Sequence, residues 1–459
     1  MDERFAKLER GLGTGVYGVS WNKGSDPTLT RINDSIGMVS NVGVDNQVVQ
    51  NDFDFAPIFG EMTEVIDSVG NVFIRIPKFY IKKTDGFNFK TWQVSKVRYA
   101  GFYLPWCFWG FDKGVELPYI DVGKYSASLS ADNKLASISD APPLVNRNIV
   151  QFRDYAKANN VNGLAGYQQL DIHIIDIIRT LMFIEFGTLN IQDIMQGYTA
   201  GRYGSESDLA TVAETATNRI VINNASAEQY RVGQTISIGT SRYSINICYG
   251  REITDIIDYD ADNKAISFNG DPVDITVGNF LTNSGTVNGF SKKIASSSGS
   301  IGDNTSGKYP CVWRGIENPF GNIWQFVDGI NITDNQAWVA KDAEVYASNL
   351  FTSPYEQLGY INANTNGYPK EMGYDRQNPS AELPIALGGG SSSYYSDYYY
   401  QEAGQRIARF GGSWSDGSSA GLSYWNLNNS SANTNVNIGR QTLIRIKLLL
   451  QHPIFHTPW

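Results

Sequence analysis

The side chains in this chain that could do chemistry are few and scattered. Its histidines are His173, His452 and His456, and its cysteines are Cys107, Cys248 and Cys311. His173 falls inside a helical stretch, where a satisfied structural imidazole is expected. His452 and His456 have the i, i+4 spacing of a metal pair, but Pro453 follows the first directly and keeps the two off a regular helix. Three widely spaced cysteines make no disulfide framework and read as small buried hydrophobes. Asp328, Asp334, Asp342 and Glu344 cluster without the glycine-centred loop of a calcium site, so solvated loop charges are expected. No phosphate-cradling glycine loop, HExxH or GxSxG element stands in a suitable context. These residues predict no metal, no cofactor and no enzyme.

Recognition is the chemistry that remains. From Gly388 to Arg440, 25 of 53 residues are Ser, Tyr, Asn or Asp, and Lys is absent. Tyr offers a large rigid face with a hydroxyl tip, and Ser, Asn and Asp offer adaptable hydrogen bonding, the mixture that antibody paratopes use. Trp414, Leu422, Trp425 and Leu427 recur among them at intervals that suit short buried strands. The alternation predicts that Ser415, Asp416, Ser418, Ser419, Ser423, Tyr424, Asn426, Asn428 and Asn429 share one exposed, ligand-binding face, with the four apolar residues beneath. Tyr394, Tyr395, Tyr398, Tyr399 and Tyr400 extend that face, about half of them as scaffold, because aromatics beside a sheet tend to be core.

Three segments carry a resemblance: Arg409 to Trp414 (RFGGSW), Asn435 to Arg440 (NVNIGR) and Trp313 to Gly329 (WRGIENPFGNIWQFVDG), with Asn318, Gly321, Asn322 and Trp324 at the matching positions of the last. They resemble the C-type-lectin-like fold shared by formylglycine-generating enzymes and the variable proteins of diversity-generating retroelements. Formylglycine-generating enzymes place active-site cysteines just after the GGSW-like strand. Here those positions hold Ser415, Asp416, Gly417, Ser418 and Ser419, so no thiolate is available. The retroelements mutate adenines, converting Asn codons chiefly to Tyr, Ser and Asp, the residues enriched here. The resemblance therefore implies non-enzymatic binding through a diversified surface. It points to attachment of a phage tail or tail fibre to a host cell-surface receptor, protein or glycan, beside other virion tail proteins. It implies a homo-oligomer, a trimer among relatives, built through Tyr99 to Phe111 or the N-terminal residues. An altered oxidase of the formylglycine-generating type and a carbohydrate-binding lectin are the alternatives. After Arg440 the chain departs from the family pattern.

Composition agrees with a binding protein. Of 459 residues 42% are hydrophobic and 18% charged, which predicts a globular fold with a sizeable core. A net charge of -9 argues against nucleic acid and acidic membrane surfaces as partners. Neither a signal peptide nor a membrane-spanning run is visible, so synthesis in the bacterial cytoplasm, virion localisation and no membrane insertion are expected.

The elements that must position the binding stretch read as α+β. Strong alternation from Asn71 to Val97 predicts two or three antiparallel strands with a turn at Asp85-Gly86. Helices are predicted over Arg147 to Asn159, capped by Asn146, over Asp171 to Phe186, ended by Gly187, and over Ile191 to Gln196. Six short strand-like runs lie between Thr211 and Asn288. The expected fold is a C-type-lectin-like α+β domain, residues 61–210 and 291–459, with an inserted all-β subdomain at 211–290 and an N-terminal connecting segment at 1–60.

Overall fold

The computed structural model describes residues 13–110, 114–160, 166–302, 304–439 and 441–444. His452, His456, Phe111 and the tail after Ile444 lie outside them.

The two long helices form where local chemistry demands. Helix α1, Ile149–Lys157, begins at Asn148, not at Asn146, because Asn148 and Gln151 satisfy each other's backbone in a capping box. Helix α2, Ile172–Phe186, begins at Asp171, whose side chain accepts from His173 N and Ile174 N, and stops at Gly187 in the left-handed conformation with φ 67°. All fifteen residues of α2 are buried, so it is apolar all round and central rather than amphipathic. The expected third helix is only a 3-10 turn, Ile191–Asp193.

The α+β expectation is corrected by the structure, which is 36% strand and 11% helix. Among the described residues there are three α-helices, the third being the single turn Asn224–Ala227. Many small sheets carry the rest, and several of their strands span only two residues, such as Gly43–Val44 and Ile316–Glu317. Strands that short have no periodicity to read.

The sheet that matters for the site has seven strands. Its spatial order is Glu356–Gln357, Gln336–Val339, Trp324–Thr333, Gln405–Phe410, Trp425–Asn429 and Tyr399–Gln401, with Ile438–Gly439 parallel to Trp324–Thr333. One face packs on the main core with α2: Val327, Ile330, Ala408, Phe410, Trp425 and Leu427 join Ile174, Ile177 and Leu181 there. The opposite face packs on α1: Trp324, Phe326, Ile407 and Tyr424 gather with Ile149 and Phe152. Arg153 of α1 ties down with a bidentate pair to Asp328, at 3.0 and 2.8 Å.

The remaining sheets surround this unit. Val16–Trp21 pairs with Lys90–Ser95, and Tyr17, Val19, Trp21 and Trp92 enter the main core, so residues well before position 60 belong to the body. Gln441–Ile444 lies between Tyr119–Ser126 and Tyr167–Gln169 in a five-stranded sheet. Between positions 210 and 281, Ile220, Ile236, Ile253, Ile266 and Leu281 form a core of their own. Its central strand, Cys248–Asp258, runs through a stretch that the sequence reads as two. Cys107, Cys248 and Cys311 are buried and form no disulfide among the described residues.

Candidate functional site

The strand Trp425–Asn429 carries the alternation expected of it. Trp425 and Leu427 enter the main core, while Asn426 and Asn428 turn to the α1 side. On that side they meet Arg409 of the neighbouring strand, whose Nη2 donates to Asn426 Oδ1 at 2.9 Å and to Asn428 Oδ1 at 3.1 Å. Arg409 and Asn426 are register partners, which fixes the approach.

Arg409 is 7% exposed and its guanidinium lies 5.0 Å over the Trp324 ring. Its buried Nε has no hydrogen-bond partner among the described residues. Burial pushes the guanidinium down to about 10, an effect that the charge of Asp416 partly offsets. Desolvation disfavours the charged form, and the neutral amides beside it return only part of the lost hydration.

Two runs of aromatic rings flank this cation. On one side Tyr424 packs edge-on against Trp324 at 4.6 Å, Tyr398 against Tyr424 at 6.2 Å, and Tyr368 against Tyr398 at 5.1 Å. On the other, Tyr203 lies 5.9 Å from Trp414 and 4.6 Å from Tyr243. Tyr243 comes from the all-β unit, so that unit contributes a ring to the belt. Tyr203 donates to Asn435 Oδ1 at 2.6 Å, and burial pushes its phenol up to about 12. Burial raises the Tyr424 phenol as well. Both remain neutral at pH 7 and serve as hydrogen-bonding groups.

The nine residues expected on one exposed face divide into two groups. Ser415 and Ser418 are exposed, and Asp416, Ser419, Asn428 and Asn429 are half-buried. Ser423, Tyr424 and Asn426 are buried, at 0%, 5% and 6% exposure, which corrects their expected position at the surface. Each has a reason. Ser423 N donates to the enclosed Asp397 carboxylate at 2.6 Å, Tyr424 packs on Trp324, and Asn426 holds Arg409. Trp414, Leu422, Trp425 and Leu427 are all buried. Among the tyrosines, Tyr395 and Tyr399 are core, and Tyr394, Tyr398 and Tyr400 are half-buried.

Asp416 fixes the loop that starts the exposed group. Its Oδ2 accepts from Ser413 N at 2.7 Å and Ser413 Oγ at 2.5 Å. Burial raises its carboxyl, and those two hydrogen bonds oppose the rise. The loop is anchored from outside by Gly417 N on Thr199 O at 2.8 Å and by Gln192 Nε2 on Gly417 O at 3.1 Å.

The acidic cluster anticipated from sequence is dispersed into structural tasks. Asp328 pairs with Arg153, Asp334 accepts from Gly404 N, and Asp342 accepts from Glu344 N. His173 is held between Ser380 Oγ at 2.6 Å and Ala340 O at 3.0 Å.

Sequence reasoning missed Arg409 as a site residue and saw it only as the start of a motif. The signal was present: Arg409 shares a strand face with Ile407, which marks an inward-facing charge. Tyr203, Tyr243 and Tyr368 lie too far away in sequence to be gathered without the fold. Neither a protein-family model nor a curated protein matches the chain.

Proposed function

We propose that the protein is a non-enzymatic binding protein of a phage tail, of the kind that diversity-generating retroelements vary. Its face around Arg409 contacts a receptor on the host cell. The observation that carries the reading is Arg409 itself, a buried cation held by the amides of Asn426 and Asn428 and flanked by tyrosines that run from the buried Tyr424 out to the exposed Tyr243. A positive charge so poorly compensated attracts an acceptor-rich group on a receptor, a carboxylate or a cluster of hydroxyls, to the rim above it. The rigid aromatic rings supply contact area at little entropic cost, while the exposed Ser415, Ser418 and the Asn428 to Asn435 stretch supply adaptable polar contacts. Because the sheet beneath is made by Trp425, Leu427 and Phe410, exchange at the rim leaves the core untouched.

Adsorption of the purified protein to host cells tests the reading. Replacing the exposed Ser415, Ser418 and Ser430 together by Ala lowers adsorption about tenfold or more while the melting temperature holds. Unchanged adsorption of that triple variant sinks the proposal. Sequencing the locus tests its genetic half: a near-copy of the 3′ end, mismatched only at adenines, is expected beside a reverse transcriptase gene.

A further inference from the structure

A second recognition feature lies outside the Arg409 face. The segment from Tyr99 to Gly110 sends Phe102, Leu104, Cys107 and Phe108 into the main core but leaves Trp106 and Trp109 half-buried at the surface. These two rings stand 6.2 Å apart at 40° and form one wall of a groove of about 490 Å³. Lys341, Asp342, Ser353, Pro354 and Glu356 also line it. That volume falls in the range of about 300–1,000 Å³ typical of small-molecule sites.

The charges on the walls narrow the ligand. Lys341 Nζ pairs with Glu356 Oε2 at 2.7 Å and also lies 5.2 Å over the Trp106 ring. A quaternary ammonium would need that aromatic face and would meet the Lys341 charge. An anion would meet Asp342 and Glu356. A neutral ligand suffers neither conflict. It must present an apolar face to the indoles and, at its edge, groups that both donate to carboxylates and accept from an ammonium. A sugar ring has that construction, with C–H bonds on its faces and hydroxyls around its rim.

The geometry points to a binding subsite for neutral saccharides between Trp106, Trp109 and the Lys341–Glu356 pair. It stands independently of what the Arg409 face binds.

The full chain is titrated calorimetrically with maltotetraose, mannotetraose, chitotetraose and a β-galactotetraose. At least one binds saturably, and Trp109→Ala weakens that binding about tenfold or more. Lys341→Ala and Glu356→Gln, placed at the groove's rim, weaken the same ligand at unchanged melting temperature, and they decide the matter if Trp109→Ala fails to fold. Failure of all four sugars to bind overturns the proposal, as does equal binding by wild type and the variants that fold. Saturable choline binding that Lys341→Ala enhances also overturns it, because the groove is then a cation site.

Discussion

Arg409 lies over Trp324 with its cationic centre 5.0 Å from the ring and its Nη2 shared between Asn426 and Asn428, so its direct contacts within the sheet are with neutral groups while the Asp416 charge acts from further off. A charge kept this way adds little to folding, since desolvation offsets most of what the contacts return.

Arg409→Met follows directly from that relationship. The apolar chain keeps the packing on Trp324, and Asn426 Oδ1 retains its bond from Asn428 N at 3.3 Å. The melting temperature is expected to hold or rise slightly while host-cell adsorption falls at least about tenfold. A drop in melting temperature of the size produced by breaking a buried ion pair contradicts this reading.

Tyr424 behaves differently from the rim. Tyr424→Ala removes a buried ring packed on Trp324 and is expected to cost about 3–5 kcal/mol. Ser415→Ala and Ser418→Ala, at exposed positions, stay within about 0.5 kcal/mol. Urea denaturation of the three single variants separates the two classes.

A buried charge cluster lies between the strands Tyr80–Asp85 and Lys90–Ser95, α2 and Glu382. Lys83 Nζ lies 2.5 Å from Asp176 Oδ1, Lys90 Nζ lies 2.7 Å from Glu382 Oε1, and Arg179 Nη2 lies 2.8 Å from Glu382 Oε2, all at 2% side-chain exposure or less. Burial already raises the Asp176 carboxyl against the pull of Lys83 and Arg179. Lys83→Met leaves that carboxylate short of a cation and is expected to destabilise by about 3–5 kcal/mol, read from the urea midpoint at constant slope.

Glu317 gives the fold a pH dependence of unusual sign. Burial pushes its carboxyl from 4.5 up to about 7, although the side chain accepts from Gly289 N and Ser291 N. Between those values the folded state holds a proton that the unfolded state releases, so this group's contribution is fully present below pH 4.5 and is lost as pH rises to 7. At about 1.4 kcal/mol per pH unit the loss from this group is about 3 kcal/mol. Glu317→Gln keeps an acceptor oxygen and is expected to match wild type near pH 4 and exceed it near pH 8. Parallel pH profiles of the two proteins contradict the assignment.

What could be read from the residues was local. Asp171 and Gly187 bound α2 because a cap and a left-handed stop act within a few residues, and the alternation of Trp425, Asn426, Leu427 and Asn428 gave the two faces of their strand. Whether the polar face meets water was not local. Ser423 is buried because Asp397 comes to it, from just before the strand that pairs with Trp425–Asn429, and Asn426 because Arg409 faces it from the strand on the other side. The predominance of β structure was hidden for the same reason. Pairs such as Gly43–Val44 on Ser298–Ser300 become strands only once the partner is in place.

The strand Gln441–Ile444 has a bearing on how the protein is made. It fills the slot between Tyr119–Ser126 and Tyr167–Gln169, so two strands from the first half of the chain stand with open edges until residues past the polar stretch have been translated. Closing so long a loop is slow, and the waiting edges are exposed to mispairing meanwhile. A chain that loses its reading frame anywhere between residues 388 and 440 never supplies the missing strand. Completion of that sheet thereby requires that the ribosome has read through residues 388–440 in frame.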